Sequence, residues 1–197
     1  MPIAERLKGG ETNIADNFAE VTVMFADIVG FTRLSAKGTP RETLVLLNEL
    51  FTRFDKSAQR IGVEKIKTIG DAYMAVAGLP TPDPDHARRI VDLALEVLGH
   101  VKQFREEIGS ELSVRIGINS GPVVAGVIGS SKFIYDLWGD TVNIASRMES
   151  SGEVGRVNIS ESTYMLLREI AGLHFTSRGK VHAKGKGDLE MYFVERG

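Results

Sequence analysis

The chain has 197 residues, 43% of them hydrophobic and 25% charged, a balance that suits one soluble globular domain and excludes a disordered chain. Its formal net charge of -2 gives no global attraction for nucleic acid, so any basic function must be local. With 0 cysteines, disulfides and thiolate metal centres are excluded and a cytoplasmic setting is expected; no apolar run is long enough to span a bilayer.

Residues 1–18 read as a short helix or lead-in broken at Gly9-Gly10, and they carry no evident chemistry. The abrupt amphipathic start, Pro2 to Lys8, suits a piece whose membrane anchor or sensor domain lies upstream. A first strand is expected from Glu20 to Phe25, with Val21, Val23 and Phe25 alternating, and it runs into Asp27 and a turn at Gly30. A carboxylate ending a buried strand, followed by backbone N–H groups free to turn inward, can hold a divalent cation and phosphates. An aspartate near a glycine also makes a plain turn. Thr39-Pro40-Arg41-Glu42 is a capping box with proline at the first helical position. The helix it opens is expected to bury Leu44, Leu47, Phe51, Phe54 and Ala58.

Val63 to Ile69 and Ala72 to Val76 are strands joined by the tight Gly70-Asp71 turn. After a proline-punctuated loop, Asp83-Pro84 starts a helix to about Ile108, with a buried stripe of Ile90, Leu93, Ala94, Val97, Val101 and Phe104. From Leu112 to Ile118 the apolar residues alternate, which turns Arg115 and Asn119 to the opposite face. The order βαββαβ and its even split predict an α+β fold with a ferredoxin-like core and a mainly antiparallel sheet. A crossover helix makes the first two strands parallel, so Asp27 and the Asp71 turn reach the same sheet edge. If the third strand packs beside the first, the two carboxylates become neighbours; they repel, and a cation between them removes that cost.

Beyond Gly121 a further strand, Val123 to Ile128, is expected to return by a turn, and Ser130 to Trp138 reads as irregular. Asp140 or Thr141 caps a helix that carries Asn143 and Arg147 on one face and Val142, Ala145 and Met148 for packing. A strand at Val157 to Ile159, a Ser160-capped helix and a hairpin from His174 to Val194 extend the core; the hairpin turn holds Lys184-Gly185-Lys186-Gly187-Asp188. Taken singly, each polar candidate has an ordinary alternative. Asn143 and Arg147 could be solvated helix residues, Lys67 beside Lys65 an exposed strand face, Asp136 a turn former, and Lys184 a solvated loop lysine. The four histidines lack metal-ligand spacing.

Together, however, three phrases resemble the class III nucleotidyl cyclase catalytic domain. They are Phe25–Thr32, Glu64–Met74 and Tyr135–Met148, and Lys184-Gly185-Lys186-Gly187 matches the same family near the C-terminus. The likeness runs from about Val21 to Val194 with the motifs in the family's order, so residues 19–197 are expected to form the catalytic domain. The resemblance implies that Asp27, Asp71 and the Ile28 carbonyl bind two divalent cations, Mg²⁺ or Mn²⁺. It implies that the backbone of Gly30, Phe31 and Thr32 wraps the triphosphate, with Arg115 and Lys184 on the phosphates. Lys67 and Asp136 would read the purine, Asn143 would orient the ribose, and Arg147 would stabilise the transition state. In the family the metal set and the purine–Asn–Arg set come from different subunits; this chain carries both, which resembles the homodimeric members. Lys67 and Asp136 favour ATP over GTP, since guanylyl cyclases use glutamate and a cysteine-like residue at these positions. The expected activity is therefore an adenylyl cyclase. The alternatives are a guanylyl or relaxed-specificity cyclase and a non-catalytic regulatory dimerisation module.

Overall fold

The computed structural model describes residue 5 and residues 8–10, 14–129 and 134–197. The expected lead-in helix therefore lies mostly outside the described residues, as do positions 130–133 of the stretch expected to be irregular.

In chain order the elements are β1 (Ala15–Val29), α1 (Phe31–Lys37), α2 (Pro40–Ile61), β2 (Glu64–Ile69), β3 (Ala72–Ala77), α3 (His86–Ile108), β4 (Ser113–Ile128), β5 (Ile134–Trp138), α4 (Asp140–Ser150), β6 (Val157–Ser160), α5 (Glu161–Leu167), β7 (Leu173–Ala183) and β8 (Gly187–Arg196). One sheet runs in the order β2-β3-β1-β4-β6-β8-β7, with β5 added to the outer end of β4. Every pairing is antiparallel except β4 with β6. The α+β class, the ferredoxin-like βαββαβ order and the C-terminal αβ and hairpin extension are all as expected.

The period-2 alternation of β1 explains the layering. Met24, Ala26 and Ile28 bury against Phe51 and Phe54 of α2 and Ile90, Leu93 and Val97 of α3. Val21 and Val23 face the other way, into a second core with Met74, Val76, Val123 and Ala145 of α4. The sheet is thus covered by α2 and α3 on one face and by α4 on the other. The Thr39–Glu42 capping box forms as read, with Glu42 N donating to Thr39 Oγ1 at 3.1 Å and Thr39 N to the Glu42 carboxylate at 3.3 Å.

Several boundaries differ from the sequence expectation. β1 begins at Ala15 rather than Glu20, because Ala15 to Phe18 pair with the far end of β4. β4 is one continuous strand; Gly121 produces no turn, and the expected return at Val123–Ile128 is instead the outward continuation of the same strand. Residues Ile134–Trp138 form β5 along that extension rather than an irregular segment. The expected stripe of α2 holds at Phe51, Phe54 and Ala58, with Leu47 half-buried against the core, and fails only at its first position. Thr43, Leu50, Phe51, Phe54, Ser57 and Ala58 are buried, while Leu44 is 66% exposed. At α4 the cap is Gly139, with Asp140 as the first helical residue.

Candidate active site

The β1–β3 and β2–β3 ladders bring Asp27 and Asp71 together. Asp27 pairs with Ala72, Ile28 N donates to Asp71 O at 3.0 Å, and the Asp71 carboxyl is within hydrogen-bonding reach of Asp27. Burial pushes the Asp27 carboxyl up to about 6, and the neighbouring Glu149 and Asp71 carboxylates add to the shift while Arg115 opposes it. Crowded acids at a sheet edge favour a cation. Among the described residues no cluster of three or more His, Cys, Asp or Glu side chains surrounds a possible ion site. Two carboxylates and a main-chain carbonyl suit a hard cation such as Mg²⁺, which takes its remaining oxygens from phosphate and water. The donor set present therefore fits the implied metals.

Beyond β1 the chain turns at Gly30, whose φ of 88° lies in the left-handed region that favours glycine, and opens α1 at Phe31. Sequence reasoning missed this short helix. The first-turn N–H groups of α1, at Phe31 and Thr32, follow directly from the acid-bearing strand and have no intrahelical acceptor.

Arg115 stands on β4 opposite Asp27. Its Nη2 lies 3.8 Å from Asp27 Oδ2, while its Nε donates to Glu149 Oε2 at 2.7 Å. Glu149 was not a sequence candidate. It lies 34 residues from Arg115, and no local signal pairs the two; only the seating of α4 on β4 brings them together.

Lys67 and Asp136, 69 residues apart, meet through a hydrogen-bonded ion pair of 2.6 Å. A β-bulge between Lys65 and Lys67 explains why the two lysines part company. Lys65 turns to Asp55 of α2 at 3.2 Å, and Lys67 reaches β5. Leu137 N donates to Asp136 Oδ1 at 2.8 Å, so one carboxylate oxygen is held by the backbone while Oδ2 meets Lys67.

Asn143 and Arg147 project from α4, whose opposite side buries Ala145 and Met148. Neither side chain forms a hydrogen bond or ion pair with the described residues. Lys184 is exposed in the turn between β7 and β8. Its neighbour Lys186, read in the sequence only as part of the turn, pairs with Asp140 at the start of α4 and so ties that turn to the helix.

A ferredoxin-like sheet with paired acids at one edge, a preformed Lys–Asp pair and an Asn–Arg helix has the layout of a nucleotidyl cyclase catalytic domain. The chain belongs to the adenylate and guanylate cyclase catalytic domain family, whose model matches residues 14–196. It is 43% identical over 193 residues to an adenylate cyclase of Mycobacterium tuberculosis, covering 98% of this chain and 43% of that protein. It is 46% identical over 195 residues to human atrial natriuretic peptide receptor 2, covering 98% of this chain and 19% of that one. The chain thus spans less than half the length of either relative. Among solved structures, the guanylate cyclase domain of RhGC from Catenaria anguillulae in complex with GTP superposes with a TM-score of 0.86. That match is 41% identical and covers 92% of this chain and 98% of the other.

Proposed function

We propose that this domain is an adenylyl cyclase, converting ATP to 3′,5′-cyclic AMP and pyrophosphate at sites shared across a homodimer. One observation carries the choice of base: the 2.6 Å Lys67–Asp136 pair. Adenine offers an acceptor at N1 and a donor at N6, whereas guanine reverses both. Lysine is donor-only and ionised aspartate is acceptor-only, so the pair matches adenine and mismatches guanine. Each unsatisfied buried group against guanine costs about 1–3 kcal/mol.

The reaction is an in-line attack by the ribose 3′-oxygen on the α-phosphorus, with cleavage of the bond to pyrophosphate. Asp27, Asp71 and the Ile28 carbonyl would hold the divalent cations. When bound, these supply Lewis acidity at the 3′-hydroxyl and charge neutralisation at the leaving phosphates. The chain's own groups do the rest. Arg115, Lys184 and the first-turn N–H groups after Gly30 bind the triphosphate; Asn143 orients the ribose. Arg147 meets the charge that grows on the α-phosphoryl oxygens, a stabilisation stronger in the transition state than in the ground state.

The test is product identification after incubation with ATP or GTP and each of Mg²⁺ and Mn²⁺. Cyclic AMP as the main product is expected, and a faster yield of cyclic GMP overturns the reading. Changing Lys67→Glu together with Asp136→Cys is expected to move the preference toward GTP. An unchanged ATP-over-GTP ratio removes this pair from base selection.

A further inference from the structure

The half-buried Arg147 side chain forms no hydrogen bond or ion pair with the described residues, so its direction depends mainly on the helix that carries it. Asn158, on β6, is the residue that holds the end of that helix. It is 0% exposed, and its Nδ2 donates to Met148 O at 2.8 Å, the carbonyl immediately after Arg147. Its Oδ1 accepts from Arg178 Nη1 at 3.0 Å, and the same Nη1 donates to Ser151 O at 2.9 Å. The Arg178 guanidinium is itself seated over the Phe193 ring at 4.4 Å. Two of the carbonyls that a helix C-terminus leaves without intrahelical partners are therefore taken up by one buried amide and one braced arginine. The Met148 side chain, 0% exposed, packs with Ala183 and Met191 of the hairpin below.

We propose that Asn158 is a positioning residue for catalysis: by pinning Met148 O it fixes the rotation of the last turn of α4 and so the approach of Arg147 to the reacting phosphate. The inference rests on the transition-state role proposed above for Arg147. A buried, fully bonded amide adds specificity to a fold, because partial loss of its partners is costly. Here the specified feature is a helix end with a catalytic side chain on it. The amide is out of reach of substrate, and its effect passes through the backbone.

A double-mutant cycle on the full chain separates positioning from general support. Asn158→Ala is expected to lower kcat roughly ten- to a hundredfold with KM for ATP within about twofold, as misplacement on the order of an ångström does. Combined with Arg147→Ala, it is expected to change kcat by less than about twofold further, since the residue it positions is gone. Arg178→Met, which leaves an apolar side chain over Phe193 but removes both Nη1 hydrogen bonds, is expected to show the same pattern more weakly. It carries the test if Asn158→Ala fails to fold. An Asn158 effect that multiplies undiminished onto Arg147→Ala, or a KM rise equal to the kcat loss, overturns the positioning role. If Arg147→Ala alone leaves kcat intact, the role proposed for Arg147 falls, and the positioning of Arg147 with it.

Discussion

Gly117 marks a very close approach of the sheet to α4, the helix that carries Asn143 and Arg147. A Cβ at this position would lie 1.9 Å from Glu149 N and 2.4 Å from Met148 C, backbone against backbone, and no rotamer change relieves that. The neighbours of Gly117 on the same face of β4 hold the same helix. Arg115 bonds Glu149, and Asn119 Nδ2 donates to Thr141 O at 3.0 Å. Period-2 residues of one strand thus form a track for α4, with a gap at the middle position. Gly117→Ala is expected to push α4 off this track and to cost about 1–3 kcal/mol or more of stability. For a chain of this size that is several degrees of melting temperature. Thermal unfolding and kcat measured together check it. Unchanged melting with full activity would mean that the helix has room to spare.

At the scale of elements, a buried polar chain joins α3, β1, β4 and α5. His86 Nδ1 meets Thr22 Oγ1 at 2.7 Å, Thr22 meets Ser120 Oγ at 2.8 Å, and Ser120 meets Thr163 Oγ1 at 2.9 Å. Burial holds the His86 pKa below its ordinary value, and Glu20 and Asp83 oppose that shift only in part. A histidine whose folded pKa is depressed contributes stability that is full above its unfolded pKa of about 6.5 and is lost as pH falls through the lower folded value. The His86 contribution is therefore expected to fall between pH 7.5 and pH 5, against the raised Asp27 carboxyl, which adds stability over the same range. His86→Gln is expected to lose less stability, read as melting temperature, than the parent on that descent. His100, also lowered by burial, accounts for a further part. A variant with the slope of the parent would remove His86 from the effect. The same contacts show what the sequence made legible. Periodicity and capping signals, such as the Thr39 box and the Val21–Val23–Phe25 alternation, report local geometry, and the βαββαβ order followed from them. The Asp27–Asp71 meeting was readable as well, because strand direction puts both at one sheet edge and the ferredoxin-like strand order makes β1 and β3 neighbours. β5 was not, since five residues laid along an extended strand have no periodic signature of their own. Nor were Glu149, Lys186 and Asn158, whose partners lie far away in the chain and are chosen by how α4 sits.

At the scale of the molecule, the outer β4–β5 ladder leaves Val124, Ile128, Ile134 and Trp138 between 36% and 57% exposed, with Val124 opposite Trp138 and Ile128 opposite Ile134. Asp136 lies between Ile134 and Trp138 on the same register, so the proposed purine reader sits within an apolar surface that a second copy would cover. That arrangement supports a shared site and gives it a decisive test. In the twofold dimer proposed above, each site would take its acids from one chain and its Asn–Arg helix from the other. Asp27→Ala chains alone and Asn143→Ala chains alone are each expected to be inert, because every site in either homodimer lacks one group. Mixed chains assemble heterodimers in which one site loses both groups and the other keeps all of them. With random pairing and independent sites, activity is expected to return to about one quarter of the parent per chain. Cyclic nucleotide assays of the mixture, with heterodimers confirmed by differently tagged chains, read this directly. Confirmed heterodimers without recovered activity would mean that the acids and the helix of a single chain serve the same substrate.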